Sequence, residues 1–243
     1  QSSKTILVKN CLKTLQKLAI KHREKINIPV IGITGTNGKT TSKELAQTVL
    51  STKFRVYATK GNLNNHIGVP LSILEINKEH DIAIIEMGAN KKGDIQFLCK
   101  ISNPNFGVIT NVGLAHIEGF KNFHGVVETK SELYQHIKEQ NGMLFVNAED
   151  QILLKKSKGI NRKIYGKIGN KNLINRDSFI TLNYNNYIIK SNLFGDYQYY
   201  NLMLSIAIGT FFKVPIEMIK KSIKSYFPKN NRSQIVKTDY NTI

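Results

Sequence analysis

Short unbroken apolar runs alternate along this chain with stretches that place an apolar residue at every third or fourth position. Residues 4–25 carry Ile6, Leu12, Leu15, Leu18 and Ala19 as one stripe among lysines, which predicts a helix. Pro29 ends it, and the run from Ile28 to Ile33 reads as a buried strand. A second helical pattern opens at Lys39 and continues to Leu50, and Phe54–Ala58 predicts a strand. Pro70 suits the first position of a further helix. Strands at Ile82–Ile85, Gly107–Thr110 and Met143–Val146 are separated by helical patterns over Asp94–Ile101 and residues 123–138. Strands alternating with helices predict an α/β fold with a doubly wound, mostly parallel sheet.

From 160 to 194 the period changes. Arg162–Tyr165, Phe179–Asn183 and Tyr187–Ser191 alternate as antiparallel strands do, with Asn185-Asn186 as a hairpin turn, so a small antiparallel β element is expected there. Helices are predicted at 198–212 and 215–225, followed by a polar turn over 228–234.

Between the first strand and the second helix lies Gly35-Thr36-Asn37-Gly38-Lys39-Thr40-Thr41. Strand, glycine turn and helix in that order make a phosphate cradle, because backbone N–H groups converge on an anion that the helix N-terminus also favours. Lys39 can reach the β- and γ-phosphates of a nucleotide, and the Thr40 hydroxyl can ligate Mg²⁺. The strict P-loop pattern asks for glycine at position 33, where this chain has Ile33; its glycines stand at 32, 35 and 38. The sheet is therefore expected to be of P-loop type with a variant loop.

Composition narrows the classes. The net charge of +18 invites a nucleic-acid partner, but 30 of the 35 basic residues are Lys and only 5 are Arg, the preferred base reader. The 26 Asn and the many Ile fit an AT-rich coding bias, and the basic residues are dispersed, so nucleic-acid binding is set aside. No apolar run is long enough to span a membrane, and the N-terminus lacks a signal-peptide core. Two cysteines, Cys11 and Cys99, lie far apart in sequence, which fits a reducing cytoplasm better than a disulfide framework.

Polar residues gather just past the predicted strand ends: Thr34, Glu86, Asn111, His116 and Asn147. Ligands bind at that edge in open α/β sheets. Glu86 could hold Mg²⁺ there or be a solvated strand-end acid. His116 could serve a metal or phosphate or be a plain loop histidine. Lys130, taken alone, reads as a surface lysine. His124 and His136 show no partner pattern, and no zinc-type cysteine spacing is present.

Five blocks resemble the Mur ligase family in order: G-I-T-G-T-N-G-K-T-T-S-K-E-L, G-N-L-N-N-H-I-G-V-P-L-S-I-L, E-M-G-A-N-K-K-G-D-I, T-N-V-G-L-A-H-I-E-G-F and N-N-R-S-Q. The first is similar to the family's ATP loop. The second and third are most similar to the member that adds D-Ala-D-Ala to UDP-MurNAc-tripeptide. The resemblance implies an ATP-dependent peptide ligase that works through an acyl phosphate, with ATP and Mg²⁺ as cofactors, acting as a cytoplasmic monomer in peptidoglycan precursor synthesis. It implies phosphate binding by Gly35, Thr36, Asn37, Gly38, Lys39, Thr40 and Thr41. A first Mg²⁺ would lie on Thr40 and Glu86, and a second on His116. Lys130 would be a carbamylated lysine that helps hold metal; Lys39, Lys130 and His116 would form the catalytic set. Asn201 would contact adenine and Arg232 would lie near the phosphates. The family's adenine segment has His-Asn where this chain has Tyr197-Gln198. Asn62, Asn64 and Asn65 are expected near the substrate.

By the same resemblance, residues 1–27 would be a lead-in helix and remnant of an N-terminal domain. Residues 28–235 would be the central ATP-binding domain, and 236–243 the start of a C-terminal ligase domain. Such a chain is expected to bind ATP weakly without completing ligation. The alternatives are the sister ligase that adds the third peptide residue, folylpolyglutamate synthase, or a P-loop nucleotide-binding module without ligase chemistry.

Overall fold

The computed structural model describes residues 5–113, 117–120, 122–166, 173–175 and 179–228. Expectations for His116, Arg232 and residues 236–243 lie outside them. Helix α1 (Cys11–Lys25) leads into β1 (Val30–Thr34), α2 (Lys39–Leu50), β2 (Val56–Ala58), α3 (Gly68–Glu75) and β3 (Ile82–Glu86). Then come α4 (Asp94–Ser102), β4 (Phe106–Ile109), the short α5 (Ile117–Phe120), α6 (Phe123–Glu139), β5 (Met143–Asn147), α7 (Gln151–Lys156) and β6 (Arg162–Tyr165). Strands β7 (Leu173–Asn175), β8 (Phe179–Tyr184) and β9 (Tyr187–Phe194) precede helices α8 (Gln198–Phe211) and α9 (Ile216–Ser225).

Six strands form one parallel sheet in the order β2-β3-β1-β4-β5-β6. Its central strands β1 and β3 are buried at every position, as their unbroken apolar runs require. Alternate side chains feed two cores. Ile31, Ile33, Ile82, Ile84, Val108 and Phe145 point to one face, where α2, α8 and α9 cover them. Val30, Ala83, Ile85, Ile109, Leu144 and Val146 point to the other, under α3, α4 and α6. Helices on both faces make the sheet doubly wound. The connection from β1 runs to one side, to β2, and the connection from its neighbour β3 runs to the other, to β4. The crevice at the carboxyl end of β1 is thus the topological switch point, where such sheets bind ligands.

The small antiparallel sheet, β7-β8-β9, adds Ile180, Leu182, Ile189 and Leu193 to the first core. Asn185 and Asn186 turn the β8–β9 hairpin with φ of 48° and 69°, the left-handed pair that a two-residue hairpin turn requires.

Three expectations need correction. Residues 5–10 are not helical: Asn10 caps α1 instead, its Oδ1 accepting from Lys13 N at 2.8 Å. Arg162–Tyr165 is not antiparallel but the parallel edge strand β6, aligned on β5. Its first three residues are exposed and only Tyr165 is buried, and side-chain alternation is the same in either strand direction, so the pattern could not set the sense. Pro70 is the third residue of α3, still within the first turn where a missing N–H is tolerated.

Arg23 fastens α1 to this body. Buried at the helix end, it donates from Nε to Ser102 O at 2.9 Å, from Nη1 to Ile26 O at 2.6 Å and from Nη2 to Asn103 O at 2.9 Å. Burial lowers its pKa, and its bonds are to carbonyls rather than to a carboxylate. Arg23→Met is expected to lower the unfolding free energy by about 2–4 kcal/mol, since it strands several buried carbonyls. Urea denaturation checks this; a loss below about 0.5 kcal/mol would contradict the anchoring role.

Candidate active site at the sheet edge

The loop after β1 is held rigidly from the side of β4. Thr36 N donates to Asn111 O at 3.1 Å and Asn37 N to Asn111 Oδ1 at 3.0 Å, while Thr110 Oγ1 donates to Asn37 O at 2.6 Å. Gly35, at φ 148°, passes so close to Thr110 that a Cβ would stand 1.9 Å from its Oγ1. Gly38 takes the left-handed φ of 76° as the N-cap of α2, and no side chain caps that helix. A helix start capped by a glycine turn rather than by a side chain is a place where a phosphate can bind. The Lys39 ammonium folds back over the loop, donating to Gly35 O at 2.8 Å and Thr36 O at 3.0 Å.

Glu86 ends β3 beside this helix start, almost wholly buried. Thr40 Oγ1 donates to its Oε2 at 3.0 Å, and Asn64 Nδ2 donates to its Oε1 at 2.9 Å. Lys43 Nζ lies 3.4 Å from Oε2, with both side chains buried. Removing one partner of such a pair costs roughly 3–5 kcal/mol, because it leaves a buried charge without its counter-ion. Thr40 and Glu86 fit a divalent cation: both offer oxygen, and Mg²⁺ is usually held by one or two carboxylates together with substrate phosphates. Among the described residues no cluster of three or more His, Cys, Asp or Glu side chains could hold a metal.

Lys130 projects from α6 into the same crevice. A cavity of about 140 Å³ is lined by Lys39, Lys130, Asn64, Asn90, Phe120 and the Gly35 turn, among others. The Lys130 ammonium lies 6.0 Å from the Phe120 ring centroid. Burial, and secondarily the charge of Lys39, lowers its pKa from 10.5 to about 8. A larger groove of about 340 Å³ between α6 and α7, lined by Glu128, Tyr134 and Lys156, shares no residue with this cavity and has none of its chemistry.

The structure thus brings Lys39 and Lys130 together in one cavity, and Asn64 in its lining links that cavity to the Thr40–Glu86 pair. Asn201 is also at the loop, though its carboxamide is engaged: Oδ1 accepts from Ser42 Oγ at 2.9 Å and Nδ2 donates to Gln198 Oε1 at 2.7 Å. Its Oδ1 lies 2.8 Å from where a Cβ on Gly38 would stand. An adenine contact would require one of these bonds to exchange. Sequence reasoning missed Lys43, whose signal was present: it stands three residues after Thr40 on one helix face. It also gave Asn64 no specific partner, whereas the structure sets it on Glu86.

Residues 33–209 match the family model described as the Mur ligase middle domain. The chain belongs to the Mur ligase family. The UDP-N-acetylmuramoyl-tripeptide–D-alanyl-D-alanine ligase of Bacillus subtilis is 34% identical over 241 residues, covering 96% of this chain and 52% of the relative. Among solved structures, a MurF from Acinetobacter baumannii superposes with a TM-score of 0.85 at 28% identity, over 98% of this chain and 55% of that one. The MurF ligase of Thermotoga maritima in complex with ADP gives a TM-score of 0.82 at 31% identity, over 98% of this chain and 58% of that one. The chain spans about half the length of the Mur ligases it matches.

The buried amine of Lys130 generates a test of the site. The unfolded chain binds more protons than the folded one between about pH 8 and 10.5. The amine therefore destabilises the fold fully below pH 8, and the penalty fades as pH rises. Lys130→Met is expected to stabilise the domain by about 1–2 kcal/mol at neutral pH and by much less near pH 10. Urea denaturation at both values checks it; a destabilised variant at neutral pH would contradict the burial argument.

Proposed function

We propose that this chain is the nucleotide-binding domain of a ligase that joins D-Ala-D-Ala to UDP-MurNAc-tripeptide, using ATP and Mg²⁺. The observation that supports this is a cavity lined by Lys39, Lys130 and Asn64 in a Mur ligase domain, with Asn64 bonded to Glu86 and Glu86 to Thr40. The tripeptide carboxylate would take the γ-phosphoryl group of ATP, and the amine of D-Ala-D-Ala would then displace phosphate.

Two anions must approach each other in the first step, so the site's task is electrostatic. The N–H groups of the Gly35–Thr41 turn, with Lys39, would cradle the phosphates. Thr40 and Glu86 would hold the first Mg²⁺ and His116 the second, and Arg232 would lie by the phosphates. Mg²⁺, when bound, supplies positive charge against the phosphoryl oxygens. Asn201 would face adenine after exchanging one of its present bonds.

Lys130 would act as its carbamate. Carbamylation needs a neutral amine, and a pKa lowered to about 8 makes neutral amine available near physiological pH. Burial supplies the neutral amine, and the cation of Lys39 in the same cavity favours the carbamate anion. Both cysteines are free thiols, which supports a reducing cytoplasm as the location.

The full-length protein is expected to use D-Ala-D-Ala as acceptor in preference to diamino acids or glutamate. Lys130→Ala should lower ligation by about 100-fold or more, as loss of a metal-site anion does, and added formate or acetate should restore part of it. Product formation followed by chromatography decides both points. A Lys130→Ala enzyme working at the wild-type rate, or glutamate as the preferred acceptor, would contradict the proposal.

A further inference from the structure

We propose that Lys43 is a positioning residue that aims the Glu86 carboxylate for a divalent cation and ties that carboxylate to the amide loop at 61–65. The inference rests on the nucleotide-binding reading above.

A lysine with a side chain only 3% exposed needs a reason to be inside a protein. Lys43 lies on the face of α2 that carries Thr40, and its ammonium has two partners. It stands 3.4 Å from Glu86 Oε2 and donates to the Gly61 carbonyl at 3.0 Å. Gly61 begins the loop whose Asn64 returns to the other oxygen, Oε1, at 2.9 Å. The same Asn64 accepts through its backbone oxygen from Gly88 N at 2.7 Å, just past Glu86. The result is a closed ring of contacts: α2 to Glu86, Glu86 to Asn64, and the loop back to α2 through Gly61.

This ring fixes the plane of the carboxylate. From α2, Lys43 addresses Oε2 and the Thr40 hydroxyl reaches both oxygens, Oε2 at 3.0 Å and Oε1 at 3.3 Å, while Asn64 addresses Oε1 from the loop. Without Lys43 the carboxylate loses one of its two anchors on the helix side, and the loop loses its tie to α2. A cation that binds through Thr40 and Glu86 would then meet a ligand of uncertain aim. Positioning groups behind a metal ligand typically set affinity in this way. Two other roles make different predictions. A lysine that merely fills space would leave cation affinity unchanged, and one that competes electrostatically with the cation would weaken it, so that its removal tightens binding.

The experiment uses ADP and Mn²⁺ as probes. Calorimetry measures ADP affinity of this chain with and without metal, and electron paramagnetic resonance measures Mn²⁺ bound to the ADP complex. Lys43→Met is expected to weaken Mn²⁺ binding by about tenfold or more while metal-free ADP affinity stays within about twofold. Affinities are referred to the folded fraction. Should Lys43→Met not fold, Lys43→Gln replaces it, since its polar amide eases burial but carries no charge and ends one atom short of the ammonium that joins Glu86 to Gly61; the same loss is expected. Unchanged or tighter Mn²⁺ binding in either folded variant would overturn the role of Lys43 alone. Failure of the unaltered chain to bind ADP, with or without metal, would overturn the nucleotide reading as well.

Discussion

Glu86 lies buried at the carboxyl end of β3, and a buried carboxylate is stable only with donors on its oxygens. Those donors are three residues on two segments: Thr40 and Lys43 on α2, and Asn64 in the loop between β2 and α3. Satisfying one charge therefore fixes the start of α2, the end of β3 and the loop between β2 and α3 relative to one another. The Gly35–Gly38 turn inherits its position from that arrangement and from Asn111 on the far side.

The sheet makes this juxtaposition possible. Because β1 lies between β3 and β4, the segments after all three strands meet at one edge. The apolar halves of each strand are spent on two cores, and only the carboxyl ends are left to carry polar groups. Lys130 reaches the same edge from α6, which packs on the second face. A buried cation and a buried ion pair within one crevice are both unfavourable for folding alone, and both are the kind of feature that functional sites retain.

Much of this was legible in the sequence because the signals were local. The apolar runs at 28–33 and 82–85 announced buried strands, and the glycine turn before Lys39 marked the candidate site. Asn185-Asn186 announced its hairpin. What failed to show was long-range. The direction of β6 depends on its partner, not on its own alternation. The start of α1 was set by Asn10 rather than by the apolar stripe that includes Ile6, which is exposed. The burial of Lys130 arises from packing across α6, the cavity and Phe120, and only the family resemblance pointed to it in advance. Lys43 looked like one lysine among many because its partner, Glu86, is 43 residues away in sequence.

The most direct measurement is a crystal structure of this chain grown with ADP and Mn²⁺, with the metal located by its anomalous scattering. The account predicts phosphates against the N–H groups of Gly35–Thr41 and a manganese peak within bonding distance of Thr40 Oγ1 and a Glu86 oxygen. Phosphates bound outside that turn, or a metal that touches neither residue, would contradict it.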